Sequence, residues 1–264
     1  MTKRNNLKMK EQIIIETHVH ICEPRYDADR EEMLQRSFEN RVKKLINIGA
    51  DIEENKRVAH FEREEVFKSI GLHPHYIDKF NDAVFNEIKE LIKETKKIVA
   101  IGEIGLDYFK SPSPKERQAE VLRKFLDIAK EYHLPVIIHS RDAHDDIYDI
   151  LKEYNIEKKG VIHCFTGDYD TAKKFIDIGY LIGIGGVITF PNAKLLKETV
   201  KKLPMEFIVL ETDAPWLAPQ QQRGKRNEPA YLKYIIEEIA RIKNTDENDI
   251  IEYTTKNAER VFNI

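Results

Sequence analysis

Two cysteines in 264 residues, Cys22 and Cys164, with no CxxC pair, are too few for a disulfide-stapled scaffold. A reducing compartment, the cytoplasm, is the expected setting. No apolar run is long enough to cross a bilayer, so no membrane association is expected. The basic N-terminus is followed by only three isoleucines before Glu16, too short a run for a secretory signal. Residues 1–10 read as a polar leader and 11–264 as one domain. Charge of either sign is not in large excess: 43 Lys and Arg against 46 Asp and Glu leave a net −3. That excludes a broadly basic nucleic-acid-binding surface, while a local basic patch stays open. No proline- or glycine-rich linker divides the chain, and no internal repeat is present. A phosphate loop and a GxSxG nucleophile motif are also missing. The segment GIGGVITF (183–190) lacks the third glycine spacing and the helix pattern of a dinucleotide fingerprint.

What is present is alternation. Short β-branched runs predict strands at 12–17, 44–48, 66–72, 98–102, 135–138, 161–162, 180–184 and 207–211. Between them lie stretches of helical spacing at 30–40, 55–64, 82–94, 115–133, 145–154, 171–178, 195–203 and 229–242, with a further one at 247–261. The clearest is 115–133, where Val121, Leu122, Phe125, Ile128, Ala129 and Tyr132 share one face. It follows SPSP, a helix-start signal. Strands alternating with helices imply parallel βαβ units. An open doubly wound sheet also alternates, but eight units in a chain of this length favour an α/β fold of the (β/α)8 TIM-barrel type, with one additional C-terminal helix.

Six polar residues stand at the ends of these runs: His18 and His20 after EQIIIET, Glu103 after KIVAIG, His139 after LPVII, His163 after GVI, and Asp213 after FIVLET. Imidazoles and carboxylates are the ligand set that divalent metals use in hydrolases. His18 and His20 are two apart, so a strand points both to one face. A lone histidine there would more often be a satisfied core residue, and HxH by itself is a weak motif. Glu103 as an unpaired core residue would cost several kcal/mol; a solvated strand end is the plain alternative. What packing explains poorly is all six at C-terminal strand ends, where barrels place their active sites. Six ligands exceed one tetrahedral site, and two divalent ions sharing a carboxylate is the simplest arrangement. By alternation Glu211 shares a face with Asp213 and is expected to support it, whereas Cys164 points away from the ligand face as a small buried residue. Asp107 reads as a loop or helix-cap residue. His73, in SIGLHPH after the run SIGL, is expected to bind substrate, and Arg141 to reach an anionic group. The basic run 222–229 (QRGKRNEP) carries Arg223, Lys225 and Arg226, either as a solvated loop or as a phosphate-binding loop after the last strand. Tyr108 and Trp216 could stack on a base, although anchoring a loop is the commoner role.

ETHVH, GLHPH, GEIGLDY, PVIIHSRDA, HCFTG, ETDAPWL and RGKRNEP stand in the order found in TatD-family metal-dependent deoxyribonucleases, and the chain resembles that family from about residue 13 to 264. The resemblance implies a TIM-barrel hydrolase of the amidohydrolase-like group. It implies that His18, His20 and Asp213 bind a first metal, that Glu103 bridges two, and that His139 and His163 bind the second. It also implies DNA as substrate, single-stranded or at 3′ ends, cut as a 3′-5′ exonuclease, with no obligate protein partner. One departure stands out: Glu16 occupies a position where the family usually has Asp, and its longer side chain could shift a ligand it orients.

The expected chemistry is phosphodiester hydrolysis by a metal-activated water, with Asp213 as general base and His73, Arg141 and Arg223 positioning the phosphate. Hydrolysis of a small amide, lactone or aminoacyl-tRNA ester would use the same residues. A non-catalytic metal-dependent nucleic-acid or protein-binding module is the alternative of another class, and it has no need of an open metal position.

Overall fold

The computed structural model describes residues 12–264, so the polar leader lies outside the described residues. Eight parallel strands run in sequence order around one sheet: β1 (Ile14–Val19), β2 (Val42–Gly49), β3 (Val66–Ile70), β4 (Ile98–Asp107), β5 (Val136–Arg141), β6 (Gly160–Ile162), β7 (Leu181–Ile184) and β8 (Ile208–Leu210). The sheet closes on itself just past β8. There Thr17 Oγ1 donates to the Leu210 carbonyl (2.9 Å), and the amides of Asp213 and His20 donate to the carbonyls of His18 and Ala214. The fold is the expected (β/α)8 barrel.

A helix follows each strand: α1 (Arg30–Glu39), α2 (Ile52–His60), α3 (Asp82–Glu94), α4 (Lys115–Glu131), α5 (His144–Tyr154), α6 (Tyr169–Asp177), α7 (Lys194–Lys202) and α8 (Leu232–Lys243), with α9 (Glu247–Phe262) in addition. Their apolar faces build the larger core, in which Phe125, Ile147, Phe175 and Ile235 lie against outward-pointing strand residues such as Leu45, Ile101 and Val136. Helix α2 begins three residues before its expected start. The Asp51 carboxylate accepts from the Glu54 amide (2.9 Å), which caps the helix ahead of the apolar signal.

The barrel interior holds a second core, made by Ile15, Ile46, Ile48, Ala100, Ile137, Val161, Leu181 and Val209. Ala258 and Phe262 of α9 pack against it from below. Asn257 of the same helix donates to the carbonyls of Met205 and Ile208, both at 2.8 Å, and Thr255 to that of Ile13 (2.8 Å). Helix α9 therefore closes the N-terminal end of the strands, leaving the C-terminal mouth as the open end of the barrel.

Strand β4 runs five residues past its expected end at 102 and so carries Glu103 within it. Gly105 permits this. Its φ is +150°, and a Cβ there would lie 1.9 Å from the His139 carbonyl oxygen, so any side chain would force β4 away from β5. Among the described residues no helix is long and apolar enough to cross a membrane.

Candidate metal centre

All six expected ligands converge at the C-terminal mouth. The Nε2 atoms of His18 and His20 lie 3.3 Å apart, as alternation along β1 requires. Glu103 reaches across from β4 and divides its two oxygens. Oε2 lies 3.4 Å from His18 Nε2 and 4.0 Å from His20 Nε2. Oε1 lies 2.8 Å from His139 Nδ1 and 3.7 Å from His163 Nε2. Asp213 Oδ1 lies 3.7 Å from both His18 and His20, and 3.9 Å from His163. The rings of His18 and His163 stack at 3.4 Å between centroids.

This donor set fits a divalent ion. Nitrogen and oxygen ligands about 2.1 Å from one tetrahedral centre stand roughly 3.4 Å from each other. The separations of 3.3–3.7 Å among His18, His20 and Asp213 bracket that value and mostly exceed hydrogen-bond length. These three residues offer atoms within 4.8 Å of one another, and so do His73, Glu103 and His139. His73, expected to bind substrate, lies among the ligand candidates: its Nε2 is 3.2 Å from His139 Nδ1 and 3.6 Å from Glu103 Oε1.

Carboxylates stand behind three of the imidazoles. Glu211 Oε1 is 3.1 Å from His163 Nδ1, beside this imidazole rather than the Asp213 it was expected to support. Glu54 Oε1 is 3.1 Å from His20 Nδ1, and its Oε2 accepts from the Ala50 amide (3.0 Å). Asp107 Oδ2 is 3.3 Å from His139 Nε2 and 2.7 Å from His75 Nε2. Such partners fix ring orientation and raise ligand basicity. Glu54 was not foreseen, since its spacing from Asp51 has the look of ordinary helix capping. Asp107 does cap a turn, through Oδ1 and the amides of Phe109 and Lys110, but its other oxygen belongs to the centre.

The electrostatics follow from this layout. Burial alone would lower the pKa of His20, but Glu54 outweighs it and pushes the imidazole up to about 9. His163 rises to about 10 against the same burial, held up by Glu211 and Glu103. His18 is driven well below its ordinary value by burial and by His163. Burial lifts Asp213 to about 6, although His163 and His20 oppose the rise. In Glu103 the surrounding imidazoles, His73 first, overcome burial and hold the carboxyl well below its usual range.

Glu16 is fully buried, and its hydrogen bonds among the described residues go to backbone amides and not to a ligand ring. Its Oε1 accepts from the amides of His18 (3.0 Å) and Thr212 (2.9 Å), tying β1 to the segment after β8, and burial pushes its pKa up to about 8. Its influence on His18 runs through the backbone.

Cys164 departs from expectation. Strand β6 ends at Ile162, and Cys164 takes a left-handed backbone (φ +46°), so alternation no longer applies. Its sulfur lies within 4.8 Å of a ligand atom of His163 and of Asp213, and burial keeps the thiol well above its ordinary pKa. Arg141 is exposed at the end of β5 and lines a cavity of about 280 Å3 together with His139, His163 and Leu217. Arg223 does not join it: its guanidinium lies over Phe190 (4.9 Å), and it lines a separate cavity with Pro191 and Gln220. Nor is the rest of the basic run a free phosphate loop. Arg226 is paired with Asp29 (2.6 Å). The buried Asn227 donates to the carbonyls of Thr212 (2.9 Å) and Trp216 (2.6 Å). Glu228 pairs with Arg36 (2.7 Å). The segment clasps the loop after β8 onto α1. Tyr108 is occupied, its hydroxyl donating to Asp146 (2.6 Å) and Lys115 lying 4.0 Å over its ring; Trp216 stands edge-on to His20.

A parallel (β/α)8 barrel with imidazoles and carboxylates gathered at its C-terminal mouth defines a metal-dependent hydrolase. The comparisons with known proteins agree. Residues 15–263 match the family described as TatD related DNase. The chain is 40% identical over 255 residues to YabD of Bacillus subtilis, an uncharacterized metal-dependent hydrolase, covering 96% of this chain and all of that one. It superposes on the crystal structure of YjjV, a TatD homolog from Escherichia coli, with a TM-score of 0.91 at 33% identity, covering 95% of this chain and 98% of the other. A TatD family hydrolase from Entamoeba histolytica shares the fold, at 23% identity and a TM-score of 0.84. The chain belongs to the TatD family of metal-dependent hydrolases.

Proposed function

We propose that the protein hydrolyses phosphodiester bonds of DNA, removing nucleotides from single-stranded 3′ ends. The observation that carries the reading is the division of the Glu103 carboxylate between two groups of imidazoles. In this reading His18, His20, Asp213 and Glu103 would hold one divalent ion. His139, His163 and Glu103 would hold the second, with His73 beside them. When bound, the ions supply Lewis acidity toward water and the phosphoryl oxygens. Zn, Mn or Mg is admissible for such mixed nitrogen and oxygen ligation. Asp213, whose Oδ1 lies 3.7 Å from both His18 and His20, would accept the proton that the attacking water loses. Glu54, Glu211 and Asp107 keep their imidazole partners oriented. Arg141 supplies a fixed positive charge at the cavity wall, where negative charge builds on the phosphate during in-line attack. Both cysteines are free, in keeping with a cytoplasmic enzyme.

His139→Ala and Asp213→Asn variants, assayed on single-stranded DNA with Mg, Mn or Zn restored to the chelated protein, test the reading. Each is expected to lose about 10²–10⁴-fold in turnover. Undiminished cleavage by both would refute the assignment of the centre. Running a D-aminoacyl-tRNA and a lactone panel beside the DNA separates ester or lactone hydrolysis from nuclease activity. A single-turnover assay that detects binding without cleavage would instead identify a non-catalytic module.

A further inference from the structure

Phe109 is 61% exposed, more than any other large hydrophobic side chain among the described residues. A single exposed phenylalanine is ordinary on a protein surface. What sets Phe109 apart is how it is held. Its backbone amide donates to Asp107 Oδ1 (2.9 Å), and the Lys110 amide to the same oxygen (2.7 Å). The other oxygen of that carboxylate faces His75 and His139. One residue thus fixes the loop tip relative to the candidate metal centre. The Arg141 guanidinium carbon lies 4.2 Å from the Phe109 ring centroid, the short end of the range for a cation on an aromatic face. Arg141 makes no side-chain hydrogen bond or ion pair among the described contacts, so its donors remain free at the cavity wall.

The cavity containing His139, His163 and Arg141 measures about 280 Å3, just below the roughly 300–1,000 Å3 of pockets that enclose an organic ligand. It has room for a sugar-phosphate more readily than for a whole nucleotide, which leaves the base at the rim. Of the two aromatic residues next to Asp107, Tyr108 is occupied by Lys115 and Asp146, and Phe109 presents its ring to solvent.

We propose that Phe109, backed by Arg141, is the platform on which a nucleobase next to the scissile phosphate stacks, while Arg141 faces that phosphate. The proposal rests on the nuclease reading above and adds a base-recognition subsite to it. Stacking on an aromatic ring tolerates every base, so the platform favours nucleic acid over small esters without selecting a sequence.

The test is equilibrium binding, by fluorescence anisotropy, of a labelled single-stranded oligothymidylate and of a tetrahydrofuran backbone of equal length without bases. The full-length protein is kept in chelator so that no turnover occurs. Backbone charge is the same in both probes, so phosphate contacts cancel in the ratio. The wild-type protein is expected to prefer the base-bearing strand about ten-fold. Phe109→Ala should reduce the preference toward one, and Phe109→Trp should restore it. A ratio unchanged in Phe109→Ala, or no preference in the wild type, overturns the proposal. DNA turnover by the wild type is scored separately. Turnover without a Phe109-dependent ratio refutes the platform and leaves the nuclease reading standing, whereas a Phe109-dependent ratio without turnover does the reverse.

Discussion

Replacing Asn227 with alanine isolates the clasp that secures the loop after β8. The side chain is fully buried and makes three hydrogen bonds. Nδ2 donates to the carbonyls of Thr212 and Trp216, and Oδ1 accepts from the Glu228 amide (2.9 Å). Alanine strands all three partners. A buried polar group left without its partner costs about 1–3 kcal/mol, and water entering the vacated space recovers part of that. A net loss of about 3 kcal/mol follows, or roughly 6–12 °C in melting temperature for a barrel of this size. Asn227→Asp should be worse than alanine, because it removes both donors and sets an acceptor against two carbonyls. Scanning calorimetry at neutral pH in chelator should give the order wild type, Ala, Asp from most to least stable. An alanine variant melting within a degree of wild type, or an Asp variant above it, refutes the accounting. Because Thr212 precedes Asp213, the alanine variant should also lose activity at temperatures where it remains folded.

Two further outcomes follow from the same geometry. A Cβ at Gly183 would lie 2.4 Å from Glu211 Oε2, so Gly183→Ala must displace the carboxylate behind His163. Metal affinity should fall about 10–100-fold by isothermal titration, and unchanged affinity would show that Glu211 does not support the site. Asp29 is held down at about 2 by Arg226 and then Arg36. Its stabilisation is therefore complete above the ordinary Asp value of 3.8 and disappears as pH falls through 2. After allowing for solvent screening of this partly exposed pair, the stability gap between wild type and Asp29→Asn should be about 1 kcal/mol at pH 5. It should close toward pH 2 in urea titrations, and a gap that stays constant contradicts the linkage.

Sequence pattern carried far in some places and stopped in others, for physical reasons. Short β-branched runs and period-3.6 patterning located each strand and helix, because parallel strands buried on both sides are nearly pure β-branched runs. The six residues at the mouth were legible because polar side chains closing such runs have few structural uses. Contacts between distant elements were not legible. Glu54 sits in a helix start that capping already explains, and Asp107 serves a turn with one oxygen and His139 with the other. Cys164 misled because alternation was extended past the end of a three-residue strand. Arg223, Lys225 and Arg226 left a solvated loop or a phosphate loop open by composition, yet Arg226, Asn227 and Glu228 find partners in Asp29, Thr212 and Arg36, at the other end of the chain or on backbone, where composition gives no clue.

Helix α9 has a consequence for how such a protein can change. The residues that shut the lower end of the barrel, Asn257, Ala258 and Phe262, include none of the side chains that meet at the mouth. Stability at one end and chemistry at the other are thus separate inheritances. Loops above the strands can be exchanged, and a new substrate acquired, while the floor stays fixed. A designer seeking a different hydrolase could leave everything below Glu103 untouched and redraw only what lies above it.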